Sequence, residues 1–378
     1  MQSAPKKGES REGSLLDLLR MFREQLLSAI AFLLAGLIAV FGLSAFIPFN
    51  DAPNLGQLSK RIDFFSESYQ DYNVLLVGTS RTYRGVDPIL LQRVAEQNGC
   101  DVRAFNLGIP KLRLTELRYL QERLSPEMLK DFDLILLSPM ASSKIKQANW
   151  SSNRIQHFSD WRGYWDSLID IWYTPLTNPV PKQIYYSGLL SGAFAYRQLG
   201  IGRLADSFRE VAPGSADNPS GDFFDGSAIV DFSRHGYVAL DDELSQQFLK
   251  RGQIIKDNPD YYEALKAENV AVDDFRGPAA ERAWKRFEWA MDYFSDFEGP
   301  IGLFLPPLLT FRAQDQALAE VAEAQGMPVL NYNLMELYPE LFEREHWFDY
   351  YHLGKSGAEM FTRLIGENIC SLIGTEKS

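Results

Sequence analysis

The chain has 378 residues, 38 Lys and Arg against 50 Asp and Glu, a formal net charge of −12 and 46% apolar residues. That length allows one large domain with an insertion, or two domains, around a sizeable core. The acidic balance speaks against nucleic acid or an anionic membrane surface as a partner of the folded part, and two cysteines, Cys100 and Cys370, exclude both a disulfide framework and any C-x-x-C metal spacing.

Residues 1–14 are polar and rich in Lys, Gly, Ser and Glu, a composition of disorder. No charged residue lies between Gln25 and Asn50, and residues 26–47 are almost wholly apolar, enough for a helix to cross a bilayer. Lys6, Lys7, Arg11, Arg20 and Arg23 precede this run, and only Lys60 and Arg61 follow at comparable distance. The positive-inside bias therefore predicts a single-pass protein of the cell membrane with a cytoplasmic N-terminus and a periplasmic or extracellular main domain. The run is long for a signal peptide and no small-x-small site follows it, which favours an uncleaved anchor. A core helix of a soluble protein would show a polar face. The expected divisions are a cytoplasmic tail (1–23), a transmembrane helix (24–48), a stem (49–70) and an outer domain (71–378) with an insertion at 141–274.

Beyond the stem a rhythm sets in. Residues 73–77 form an apolar run, and 87–96 (D-P-I-L-L-Q-R-V-A-E) read as a helix with Asp87 as cap and Pro88 in the first turn. Residues 102–107 are the next strand candidate, 112–124 a helix, and 132–137 (F-D-L-I-L-L) a third strand, apolar throughout as a strand buried on both faces should be. Residues 141–274 break the rhythm with Trp150, Trp161, Trp165, Trp172 and a loop rich in Gly, Pro, Ser and Asp at 212–227. A helix is expected at 279–294, then a strand at 301–305, a helix at 312–325, a strand at 328–330 and a closing helix at 356–373. Apolar strands alternating with helices predict a parallel sheet covered on both faces, with working groups at the carboxyl ends of the strands.

Two stretches carry chemistry on that edge. Residues 74–80 (V-L-L-V-G-T-S) put Ser80 at a strand tip, and 347–358 (W-F-D-Y-Y-H-L-G-K-S-G-A) put Asp349 three residues before His352. A His oriented by a carboxylate can take the proton of an attacking hydroxyl. Alone, Thr79 and Ser80 also suit turn and cap hydroxyls, and His352 also suits a structural role. The pair, placed at two ends of one sheet edge, favours a nucleophile and its base. In F-N-L-G-I-P (105–110), Gly108 ends the second strand; its amide and that of Ser80 could hold an oxyanion, or Gly108 could serve an ordinary turn. Arg81 is either a clamp for a substrate carboxylate or phosphate, or a charge at the surface or behind the site. His157 and His235 belong to no metal-ligand cluster, so neither a metal nor another cofactor is expected. The separation of Cys100 and Cys370 leaves their pairing open.

G-T-S, F-N-L-G and D-Y-Y-H resemble blocks I, II and V of the SGNH (GDSL-type) hydrolase superfamily, over residues 71–140 and 300–370. The resemblance implies a flavodoxin-like three-layer sandwich, with Ser80 as nucleophile, His352 as base, Asp349 as its orienting carboxylate, and Ser80 and Gly108 as oxyanion donors. Thr79 stands where many members have Asp, and the third block, Gly-x-Asn, is missing: residues 137–143 read L-S-P-M-A-S-S. Ser138, Ser142 or Asn149 could substitute; losing one oxyanion donor costs about 3–4 kcal/mol of transition-state stabilisation. The anchored start also resembles the partners of membrane-bound O-acyltransferases, of the kind serving alginate O-acetylation or teichoic-acid D-alanylation. The function this implies is esterase or O-acyltransferase chemistry on an envelope or exported polysaccharide, through an acyl-Ser80 intermediate. The rivals are an inactive member of the fold that binds polysaccharide or a membrane O-acyltransferase, and a lipase-like esterase, for which residues 141–274 would supply an apolar tunnel.

Overall fold

The computed structural model describes residues 11–46, 57–110, 112, 120, 124–130, 132–138, 161, 164–165, 168, 171–172, 179–198, 232–242, 246–267, 284–285, 287–288, 291, 294, 297–309 and 313–373. Five strands, β1 (Val74–Gly78), β2 (Ala104–Gly108), β3 (Leu134–Leu137), β4 (Ile301–Leu305) and β5 (Val329–Asn331), form one sheet in the order β2-β1-β3-β4-β5. Every pairing is parallel, with Gly78 level with Gly108 and Val77 level with Leu137. The order is one of the two common doubly wound arrangements, and the chain reverses direction across the sheet between β1 and β3.

The apolar strands are explained by burial on both faces. Leu75 and Val77 point into one core with Phe105, Leu107, Ile135 and Leu303. Val74 and Leu76 point into the other with Leu134, Leu136 and Phe304. Helix α2 (Gln57–Ser68) covers the first face through Ile62 and Phe65. Helices α3 (Ser80–Gly85) and α4 (Pro88–Gln97) follow β1, and Leu91 and Ala95 of α4 pack into the second core. The connection from β3 to β4, residues 138–300, includes α5 (Pro179–Gln198), α6 (Gln246–Asp257) and α7 (Pro259–Ala267). Helix α8 (Ala313–Ala324) adds Leu318, Ala319 and Ala322 to the first face. Helix α9 (Lys355–Asn368) adds Ala358, Phe361 and Ile365 to the second.

All five expected strands are present, each within two residues of its expected bounds. Residues 57–68 differ from the expected stem: they are helical, and Ile62, Phe65 and the buried Arg61 belong to the folded unit. Helix α1 (Arg11–Phe46) begins earlier than expected and contains one stretch, Arg20–Ala39, long and apolar enough to cross a membrane and exposed throughout. The helix expected at 112–124 and the loop at 212–227 lie largely or wholly outside the described residues.

Cys100 and Cys370 form a disulfide with their Cα atoms 5.7 Å apart. They sit just beyond the C-terminal ends of α4 and α9, which pack closely because Gly366 of α9 admits Val94; a Cβ there would meet Val94 Cγ1 at 2.7 Å.

Candidate active site

The G-T-S stretch makes a sharp strand-to-helix turn. Thr79 caps α3, its hydroxyl accepting from the Arg81 N–H at 3.4 Å, and Ser80 takes the first helical position. The F-N-L-G stretch of β2 holds that short helix in place. Asn106, fully buried, donates its side-chain amide to Thr82 O at 2.8 Å and Val86 O at 2.7 Å. Gly108 must lack a side chain, because a Cβ would lie 2.3 Å from the Tyr83 backbone nitrogen. Two buried arginines grip the Tyr83 ring, with Arg61 and Arg84 each 4.4 Å from its centroid. Arg61 also donates to Asn106 O and Gly236 O at 2.5 Å. Burial pushes its guanidinium down to about 10, low for arginine but still charged at neutral pH.

The D-Y-Y-H stretch folds locally for a simple reason. Strands β6 (Trp347–Asp349) and β7 (His352–Leu353) form a hairpin, and Asp349 Oδ1 accepts the N–H groups of Tyr351 at 2.8 Å and His352 at 3.0 Å. That turn aims the imidazole at the same oxygen, with Nδ1 2.9 Å from Asp349 Oδ1. The other ring nitrogen, Nε2, lies 2.9 Å from Ser80 Oγ. Residues 272 positions apart thus meet at the carboxyl edge of the sheet. An Nδ1–H donating to the carboxylate leaves Nε2 to accept the serine proton, the tautomer this contact pattern assigns.

Burial works against a charge on Asp349, but His352, through its charge and hydrogen bond, and then Arg251 and the Tyr351 amide outweigh it. The carboxyl is held down at about 2. Arg251, from α6, forms an ion pair with Asp349 Oδ2, and its Nη2 lies 3.4 Å from His352 Nδ1. No periodicity or motif in residues 141–274 singles Arg251 out; only the fold brings it to Asp349. Helix α6 lies against β6, where a Cβ on Gly252 would meet the Phe348 ring at 3.0 Å. Asp241, from the same connection, accepts the Lys355 N–H at 2.5 Å and so caps the helix that follows His352.

The remaining predicted residues fall less neatly. The Gly108 N–H does not face an open site: it donates to Asn106 Oδ1 at 2.9 Å, because the Asn side chain folds back over its own strand end. This corrects its reading as a ready oxyanion donor. The Ser80 N–H, at the helix start, has no acceptor among the described residues. Ser138 follows β3, and its buried hydroxyl has no partner among the described residues. It lies beside Gly78, whose absent Cβ would be 2.8 Å from Ser138 Cβ. Ser142 and Asn149 lie outside the described residues. Arg81 is not a surface charge: it is almost wholly buried, 3.7 Å from Asp315 of α8. Among the described residues no group of three or more His, Cys, Asp and Glu side chains could hold a metal ion.

No protein-family model matches the chain, and no curated protein matches it. The protein is thus defined by its own geometry, as an α/β protein with a five-stranded parallel sheet and one N-terminal helix apolar enough to span a membrane. Its site is a Ser–His–Asp hydrogen-bonded series extended by one arginine.

Proposed function

We propose that this chain is a membrane-anchored serine esterase or O-acyltransferase of the SGNH-like type, acting on acyl esters of an envelope or exported polysaccharide. The observation that carries the proposal is the pair of 2.9 Å contacts joining Ser80 Oγ, the two nitrogens of His352 and Asp349 Oδ1. Ser80 Oγ attacks the acyl carbon as its proton passes to His352 Nε2. The tetrahedral intermediate collapses as Nε2 returns that proton to the departing sugar oxygen, leaving acyl-Ser80. Water or a second sugar hydroxyl then gives its proton to Nε2 and attacks the acyl carbon, and Nε2 passes that proton to Ser80 Oγ as the serine departs. Asp349 remains ionised throughout and holds the ring. The oxyanion is met by the Ser80 N–H, with Ser138 Oγ as the substitute donor whose hydrogen is uncommitted.

The strand order is that of flavodoxin-like sheets, and supports the SGNH-like reading along with G-T-S and D-Y-Y-H. A disulfide persists in oxidising compartments, which agrees with the outward placement predicted from the N-terminal basic residues. The partner this reading implies is a membrane-bound O-acyltransferase that supplies or takes the acyl group.

The engaged Gly108 amide favours one rival, a non-catalytic protein of the same fold that binds the polymer. Incubating the full chain with an O-acetylated polysaccharide separates the two. The proposal expects acetate release, or transfer to an added unacetylated glycan, that vanishes in Ser80→Ala. Polymer retention without turnover, equal in wild type and Ser80→Ala, would establish the rival.

A further inference from the structure

Arg251 reaches the site from the long connection between β3 and β4, and its neighbours explain how. In α6, Ile255 is buried in the second core and Gly252 admits the Phe348 ring, so these two mark the face that packs on the folded unit. Arg251 stands four residues before Ile255, on that same face. Tyr262 of α7 holds the helix pair further along: it is buried in the same core and its hydroxyl donates to Phe342 O. Residues 238–240 add support from another side. Arg84, on the helix that begins with Ser80, donates to Val238 O at 3.2 Å and Ala239 O at 3.4 Å. The next residue, Leu240, is buried against Phe348 of β6. The connection therefore touches both the helix of the nucleophile and the strand of the carboxylate.

What Arg251 does there follows from hydrogen-bond capacity. Asp349 Oδ1 accepts from the Tyr351 N–H, the His352 N–H and His352 Nδ1, while Arg251 takes the other oxygen, Oδ2. The terminal torsion of an Asp side chain is soft and roughly two-fold, so its own rotamer does not choose which oxygen faces the ring. A partner on each oxygen does. The guanidinium is a donor only and stays charged, so it cannot accept the ring proton although its Nη2 lies 3.4 Å from Nδ1. The ionised Asp349, by contrast, can only accept. The ring proton thus has one acceptor here, Oδ1, and sits on Nδ1. Without the cation, Oδ2 becomes a buried carboxylate oxygen that has lost a donor, and the carboxylate turns toward another. Nδ1 then loses its fixed acceptor and the proton divides between the two ring nitrogens. A ring protonated on Nε2 cannot take the proton of Ser80.

Resting on the reading of Ser80 as nucleophile and His352 as base, we propose that Arg251 is a positioning residue: it fixes the orientation of the Asp349 carboxylate, keeps the His352 proton on Nδ1, and so sets the rate at which Ser80 reacts. The long connection between β3 and β4 then completes the site rather than only flanking it.

The test reads tautomer and rate on the same proteins. Nitrogen-15 NMR of the full chain in detergent, labelled on histidine, separates protonated from unprotonated ring nitrogens; the chain has four histidines, and His352 is assigned by its loss in His352→Gln. At mildly alkaline pH the wild type should show His352 with its proton on Nδ1 alone, Arg251→Gln a mixture of both tautomers, and Arg251→Lys a return toward wild type, because an ammonium still supplies the cation. With a fluorophosphonate probe, the limiting labelling rate of Ser80 should fall on the order of 10- to 100-fold in Arg251→Gln, recover in part in Arg251→Lys, and leave the half-saturating probe concentration unchanged. Trp emission checks that each variant is folded, and Arg251→Met, similar in length and uncharged, repeats the test if the Gln variant is not. An unchanged tautomer and rate in a folded, uncharged variant overturns the proposal. So does a loss confined to the half-saturating concentration, which would make Arg251 a binding residue. A wild type that takes no probe strikes instead at the reading of Ser80, and the tautomer measurement then decides the role of Arg251 by itself.

Discussion

Removing the Cys100–Cys370 disulfide should destabilise the folded domain by an amount set mainly by how much chain it closes. The cysteines are 270 residues apart, so the bridge restrains most of the unfolded chain. The loop-entropy relation gives roughly 5–6 kcal/mol for a loop of that size, and native disulfides usually deliver about 2–5 kcal/mol. The packing of α4 on α9 survives the change, since Gly366 and Val94 stay in contact without the sulfurs. We therefore expect a loss of about 3–5 kcal/mol in Cys100→Ser/Cys370→Ser. The assay is thermal unfolding of the full chain in detergent, followed by Trp emission, for wild type with and without reductant and for the double serine variant. The reduced wild type and the variant should melt together, several degrees below the oxidised protein. The bridge also ties the segment after Ser80 to the segment after His352, so reduction should impair the site at temperatures where the sheet is still intact. An oxidised protein that melts with the serine variant, or free thiols in the native protein before any reductant, would refute this reasoning.

Three further outcomes follow from the site. Gly108→Ala puts a methyl group 2.3 Å from the Tyr83 backbone nitrogen; overpacking of this kind costs about 1–3 kcal/mol or more, and should show as a lower melting temperature together with loss of serine reactivity as α3 is displaced. Arg251→Gln leaves a buried carboxylate with one charge partner fewer; a destabilisation of about 1–3 kcal/mol is expected, partly restored in Arg251→Lys and measurable by urea unfolding. The Asp349 carboxyl is held at about 2 against an ordinary value of 3.8. Its folded pKa is depressed, so its contribution of about 2 kcal/mol is complete above the ordinary carboxyl range and is lost as pH falls through 2. Asp349→Asn should flatten the stability profile by that amount between pH 5 and pH 1; identical acid profiles for the two proteins would contradict the charge state assigned here.

The sheet was legible because its strands are largely apolar runs, and in β1, β2 and β3 every residue is buried, Asn106 being the one polar side chain among them. Ser80 and the Asp349–His352 pair were legible because their geometry is local: a strand-tip turn in one case, a hairpin whose carboxylate takes two nearby amides in the other. What sequence hid was mostly long-range or disguised by composition. Arg251 reaches Asp349 across 98 residues from a helix whose neighbours give no sign of a site. In α2, Ile62, Phe64 and Phe65 lie among Lys60, Arg61, Asp63 and Ser66, so a helix of the core reads as a stem. Gly108 was correctly placed at the end of β2, but which acceptor its amide would meet depended on the Asn106 rotamer, which no spacing specifies.

The central claim is that Ser80 acts as a nucleophile served by His352. Its most direct measurement is covalent labelling of the full chain by a fluorophosphonate probe, with the modified peptide identified by mass spectrometry. The account predicts one adduct, on Ser80, abolished in Ser80→Ala and strongly slowed in His352→Ala, whose 2.9 Å contact to Ser80 Oγ is gone. An adduct on another residue, labelling that persists in Ser80→Ala, or a wild type that takes no probe would contradict it.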